Sequence, residues 1–199
     1  MSPDRAEEVT LRLDQMAYRV PNGHRLRLSL ATTYWPFVWP SDATATLTLT
    51  EGTLTLPVLT QTLPAWTPPE VETAKPWAHR VLRKGHATRT IEHDLIRGTR
   101  ALVVTDDGGD VENADHGLCG GETMTERWTI HPDDPLSAST THTWQQRLSR
   151  GGWRVRTDVT ATQTCTATHL RMVAQVRAYE GDVLIFERQF DDAVPRTFV

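Results

Sequence analysis

Along most of this chain, apolar and polar residues alternate with a period of two. Val9, Leu11 and Leu13 are interleaved with Thr10, Arg12 and Asp14, which places the apolar set on one face of a strand. After the turn residues Pro21, Asn22 and Gly23, Leu26, Leu28 and Leu30 alternate with Arg25, Arg27 and Ser29. Leu47 and Leu49 lead into Glu51-Gly52, and Leu54, Leu56 and Val58 follow. A short loop ending in Gly between alternating runs predicts a hairpin, because Gly accepts positive φ at little cost.

The same period predicts strands over 87–96, 100–105, 122–131, 138–149, 153–168, 170–179 and 183–190. The last two flank Glu180-Gly181-Asp182, a further hairpin turn. Thr, Val, Trp and Tyr fill these segments, as strands favour, and the threonine-rich run 157–168 would make a poor helix. No stretch has helical periodicity. The fold class expected is all-β, an antiparallel β-sandwich with little helix. Residues 61–77 break the pattern, with Pro64, Pro68, Pro69 and Pro76 removing ladder donors and fixing φ. They are expected to connect a first β unit, 1–60, to a second, 78–199, which can also pack with the first as one sandwich. Residues 106–121, rich in Gly and Asp, predict a surface loop.

Size and charge narrow the classes of function. A chain of 199 residues buries one substantial core or two small ones, and its seven tryptophans supply large areas for that. No apolar run approaches the ~20 residues that span a bilayer, so no membrane partner is expected. Met1-Ser2-Pro3-Asp4-Arg5 lacks a basic region followed by an apolar stretch, so no secretory signal is expected and the location expected is cytoplasmic. The net charge of −4, with both signs interspersed, argues against a nucleic-acid partner, which would call for a basic patch or stripe. The basic runs 80–84 and 147–156 read as solvated strand faces. Cys119 and Cys165 form no CxxC motif and cannot make a zinc site alone. They pair if the fold brings them together; two free thiols in a reducing compartment is the expectation.

Candidate chemistry is sparse. A hydrolase elbow requires Gly-x-Ser-x-Gly, and none of Ser2, Ser29, Ser41, Ser137, Ser139 and Ser149 has that context. No catalytic residue is therefore assigned. Cys165 lies in a threonine-rich strand, not in an electropositive turn that would activate a thiol. Cys119, between glycines, has a more flexible setting, and a partly buried structural thiol is expected there over a reactive one. His79, His86 and His93 recur every seven residues, but strand alternation would point them to opposite faces, away from a common metal. His24 is expected to order its turn. Asp106, Asp107 and Asp110 form the weak calcium candidate, hard oxygen donors clustered by glycines but without the EF-hand spacing; an ordinary acidic turn is the competing reading. Tyr34, Trp35, Phe37 and Trp39 form the candidate ligand-binding cluster. It suits sugar stacking or, as the intervening prolines favour, packing against a neighbouring domain. No cofactor is expected.

The stretch Tyr18-Arg19-Val20-Pro21-Asn22-Gly23-His24-Arg25-Leu26-Arg27-Leu28 resembles the penultimate jelly-roll segment of the CocE/NonD hydrolases, the X-Pro dipeptidyl-peptidase and cocaine esterase family. Tyr34-Trp35-Pro36, Trp39-Pro40-Ser41, the run from Asp133 to Ala138 and the closing stretch from Ala178 through Pro195-Arg196 resemble its larger members. Asn22 departs from the Ala commoner there, a mild change in a turn. The resemblance runs from about Leu11 to the C-terminus. It implies a jelly-roll-like, galactose-binding-like fold in which 1–60 are the closing strands of a jelly-roll unit and 78–199 an appended β segment. The family's Ser-His-Asp triad belongs to an α/β-hydrolase domain upstream of anything matched here.

What the resemblance implies is a non-catalytic C-terminal β-domain that supports a serine hydrolase of the dipeptidyl-peptidase/esterase type and completes its substrate pocket. The alternative is an independent carbohydrate- or ligand-binding module. The partners expected are the parent's hydrolase domain or a second copy, a homodimer formed through the N-terminal strands. Closing strands without their neighbours would leave an open edge and bare Leu11, Leu13, Leu26, Leu28 and Leu30, each worth roughly 1.5–3 kcal/mol when fully buried.

Overall fold

The computed structural model describes residues 5–61, 64 and 66–197. The first four residues of the expected first β unit, residues 62, 63 and 65 of the expected connector and the last two of the second unit lie outside the described residues. The chain divides into two units, Met1–Ala31 and Thr32–Val199.

In the first unit, the predicted turn is present. Gly23 adopts a φ of 83°, and the His24 backbone N–H donates to the Pro21 carbonyl at 3.1 Å. The strands predicted on either side of it do not form among the described residues, nor do those predicted around 45–58 in the second unit. The physical reason is that alternation selects which side chains share a face, while a strand also needs a neighbour to accept and donate its backbone hydrogen bonds. Leu11, Leu13, Leu26, Leu28 and Leu30 are all exposed.

The second unit carries eight strands in one antiparallel sheet. They are β1 (His79–Arg83), β2 (His86–His93), β3 (Arg100–Asn113), β4 (Cys119–His131), β5 (Asp134–Arg150), β6 (Trp153–Cys165), β7 (His169–Glu180) and β8 (Val183–Pro195). From β3 to β8 each strand pairs with the next, and β1 and β2 pair with the two halves of β3. The described residues contain no helix. The all-β, antiparallel class is thus as the alternation predicts, and the open sheet is consistent with a sandwich or jelly-roll-like fold.

Two features depart from the sequence expectation. Strand β1 has no alternating apolar signature and is formed by pairing with residues 110–113 of β3. The expected loop over 106–121 is mostly strand: β3 continues to Asn113, residues 114–118 turn, and β4 begins at Cys119. A bulge between Asp107 and Gly109 bends β3. Gly109 sits there at φ 75°, and a β-carbon at this position would collide with the Arg83 carbonyl oxygen. The glycines that read as a loop are what let the strand bend.

Register sorts the sheet's two faces. One row runs Thr88, Thr105, Thr125, Thr143, Thr160, Gln175, Gln189 across β2 to β8, so this face is polar. On the other face one row runs Asp106, Met124, Trp144, Val159, Val176, Arg188 across β3 to β8. This face is apolar, yet Ala138 is its only buried apolar residue among the described strand residues. A sheet with one apolar face needs a second layer to bury it.

Candidate functional site

The aromatic candidates separate into two pairs. Trp35 lies edge-on to Trp39 (ring centroids 5.1 Å apart) and to Trp128 of β4 (5.7 Å). Tyr34 and Phe37 instead stack on each other at 5.2 Å, and both are exposed. The local turn explains the split. Val38 N–H donates to the Tyr34 carbonyl at 2.9 Å. Arg196 straps the segment to the end of the sheet, donating through Nη2 to the Pro40 carbonyl at 2.5 Å and through Nη1 to Thr166 O at 3.0 Å. The four rings therefore do not form one platform: Trp35 meets Trp128 of the sheet with Trp39 beside it, and Tyr34 and Phe37 are exposed as a separate pair.

Beneath Trp35, register gathers residues that no sequence motif brings together. The Trp128 indole N–H donates to Glu126 Oε2 at 3.3 Å, and the His142 ring lies edge-on to Trp128 at 4.7 Å. His142 Nδ1 is 3.6 Å from Glu126 Oε1, and its Nε2 is 2.7 Å from Thr140 Oγ1. Hydroxyl, imidazole and carboxylate thus stand in line, but Thr140 is only 4% exposed. A nucleophile must reach its substrate, and the hydroxyl is the buried member here, so this trio is a half-buried polar network within the apolar face. Its signal in the sequence is confined to the alternation of Thr140 and His142, which share a face.

The acidic candidates are also divided. Asp106 belongs to the apolar-face row, whereas Asp107 and Asp110 are on the polar face with Arg147. Arg83 of β1 holds Asp107 through both terminal nitrogens, at 2.6 and 2.8 Å, and donates from Nε to Asp110 at 2.5 Å. Arg147 donates to the other Asp110 oxygen at 3.0 Å, and Gly109 N–H to Asp107 at 2.9 Å. The Arg83 hydrogen bonds hold the Asp107 carboxyl well below the usual carboxylate range. Burial pushes the Asp110 carboxyl up, but the bonds from Arg83 and Arg147 outweigh it and leave the group lowered. These oxygens are occupied by arginine, and the described residues contain no group of three or more ligating side chains suited to a metal ion.

The network continues across the sheet. Arg147 donates to Gln145 at 2.6 Å, Gln145 to Asp158 at 3.0 Å, and Arg156 to Asp158 at 3.0 Å. The Arg156 guanidinium then stacks over the Tyr179 ring at 4.2 Å. The basic run 147–156 is thus partly engaged across strands rather than wholly solvated.

The remaining candidates stay apart. His79 stacks on Trp77 at 4.7 Å, His86 is 3.5 Å from Asp107, and His93 pairs with Arg100 in the ladder. Cys119 and Cys165 are both free. Cys119 opens β4 beside Ser149, which pairs with Arg154 at the start of β6, whereas Cys165 ends β6. The two thiols therefore sit at opposite ends of the sheet.

Fold and site define an all-β domain built on one antiparallel sheet, with its candidate residues divided between the two faces. Residues 1–92 match the family model of the X-Pro dipeptidyl-peptidase C-terminal non-catalytic domain. The match covers the first unit, the following segment through β1 and β2 up to Glu92, and is consistent with a CocE/NonD-type C-terminal domain. No curated protein and no solved structure matches the chain. No helix among the described residues is long and apolar enough to cross a membrane.

Proposed function

We propose that this chain is a non-catalytic C-terminal β-domain of a CocE/NonD-type serine hydrolase, a dipeptidyl-peptidase or esterase, supporting the hydrolase domain and its substrate pocket. The observation that carries this reading is the match of residues 1–92 to a domain described as non-catalytic. On this reading residues 1–60 are the closing strands of a jelly roll, and their ladder partners are strands of the parent enzyme. The exposed leucines of the first unit are the side chains such pairing would cover. Two free thiols fit a cytoplasmic location.

The chain alone is expected to leave X-Pro p-nitroanilides and p-nitrophenyl acetate at the buffer rate and to take no label from a fluorophosphonate probe. Covalent labelling with serine-inhibitable turnover would overturn the non-catalytic assignment. The supporting role is tested separately. The chain should bind an X-Pro dipeptidyl-peptidase hydrolase domain lacking its own C-terminal β-domain and raise its melting temperature; no binding would refute that role.

A further inference from the structure

The apolar row of the sheet is self-complementary. From β3 to β8 it reads Asp106, Met124, Trp144, Val159, Val176, Arg188: an acid, four apolar side chains with the largest near the centre, and a base. Consider a two-fold axis parallel to the strands, between β5 and β6, with a second copy laid face to face on the first. The operation reverses the order of strands, so Asp106 meets the partner's Arg188, Met124 the partner's Val176, and Trp144 the partner's Val159. In a neighbouring row on the same face, Leu148 and Val155 are register partners and meet each other's copies in the same way.

The side chains needed are free to take part. Trp144 is 49% exposed and Phe186, on the same face, 50%. Asp106 is exposed and its carboxylate has no hydrogen bond or ion pair among the described residues, and the side chain of the exposed Arg188 stacks over Phe190, at 4.7 Å. The segment 34–40 covers the Trp128 end of the face and leaves the Trp144 end open. At ordinary strand and residue spacings, six strands by three rows make a footprint of roughly 600 Å² on each copy. That reaches the lower end of the ~1,200–2,000 Å² total of specific interfaces, and sheets packed face to face are the sandwich arrangement that an apolar-faced sheet requires.

We infer that two copies of this chain pair through the Trp144 face, the partner's sheet supplying the second layer of a sandwich, with Asp106 and Arg188 flanking the four apolar side chains between them and Ala87 of β2 lying beyond Asp106. The interface is isologous and lies on the sheet, not on the N-terminal leucines. It does not rest on the hydrolase reading, since it is decided by mass in the absence of any hydrolase.

Sedimentation equilibrium of the full chain at micromolar concentration should give twice 22.4 kDa. Asp106→Arg and Arg188→Asp, made singly, set like charges together and should each weaken dimerisation about tenfold; the double exchange should restore it. Trp144→Asp should give a monomer, and Leu28→Asp should leave the mass unchanged, with circular dichroism confirming that each variant keeps its β spectrum. If Trp144→Asp does not fold, the charge exchange decides alone. A wild-type monomer with an intact β spectrum would overturn the inference and leave the face to the hydrolase domain. A dimer dissolved by Leu28→Asp, or indifferent to the charge exchange, would overturn it in favour of another surface.

Discussion

Residues 9–30 and residues 100–195 carry the same kind of sequence, alternating apolar and polar positions punctuated by glycine turns, and they have different outcomes. The second region forms a ladder running from β3 through β8 in chain order. The first makes its turn and stops there, with Leu26 58% exposed and Leu28 56% exposed. The alternation itself does not separate them, although the second region is richer in Thr and Val. What separates them is the supply of neighbours: each strand from β4 to β7 has a partner on both sides close in sequence, so the entropy of closing each loop is small. The N-terminal runs have one short turn between them, and an isolated hairpin is marginal in water.

The largest expected effect is on local opening. Amides over 9–30 should exchange near the unstructured rate, and those of β4 to β6 at least about 100-fold more slowly, read by hydrogen–deuterium exchange with mass spectrometry. Equal protection in the two regions would erase the contrast. Next in size is the anchoring of the segment 34–40. Trp128→Ala removes the ring between Trp35 and His142 and should cost about 2–3 kcal/mol in a urea melt, whereas Leu28→Ala should change stability by less than about 0.5 kcal/mol.

The smallest effect concerns acid. Asp107 and Asp110 are lowered on folding, so their contribution is fully present above the ordinary carboxylate range near about pH 4. It is lost as the pH falls through their depressed values. Arg83→Ala should therefore melt below the wild type at neutral pH, with the gap narrowing progressively below about pH 4. A gap that is constant from neutral pH into acid would show that the arginine acts only through packing.

How far the sequence could be read depended on the kind of interaction. The strands β2 and β4 to β8 were legible because β-branched and aromatic residues at period two report burial on one face, a property of each segment alone. The bend in β3 was hidden because Asp107, Gly108, Gly109 and Asp110 are turn residues locally. They become strand residues when Arg83 and Arg147 engage the two carboxylates from 24 and 37 residues away. The same holds for the aromatic cluster: the sequence marks Tyr34, Trp35, Phe37 and Trp39 as a group, and contact with Trp128 divides them.

From the residues alone come the all-β class, the turn at Gly23, the hairpin turn at Gly181, the lack of a nucleophile elbow and the likeness to a hydrolase's C-terminal domain. Three-dimensional pairing assigns which alternating runs become strands, which acids meet which arginines, and that Asp106 and Arg188 bracket one apolar row. Alternation is written residue by residue, whereas register and ion pairing join positions tens of residues apart, and no local pattern encodes the partner.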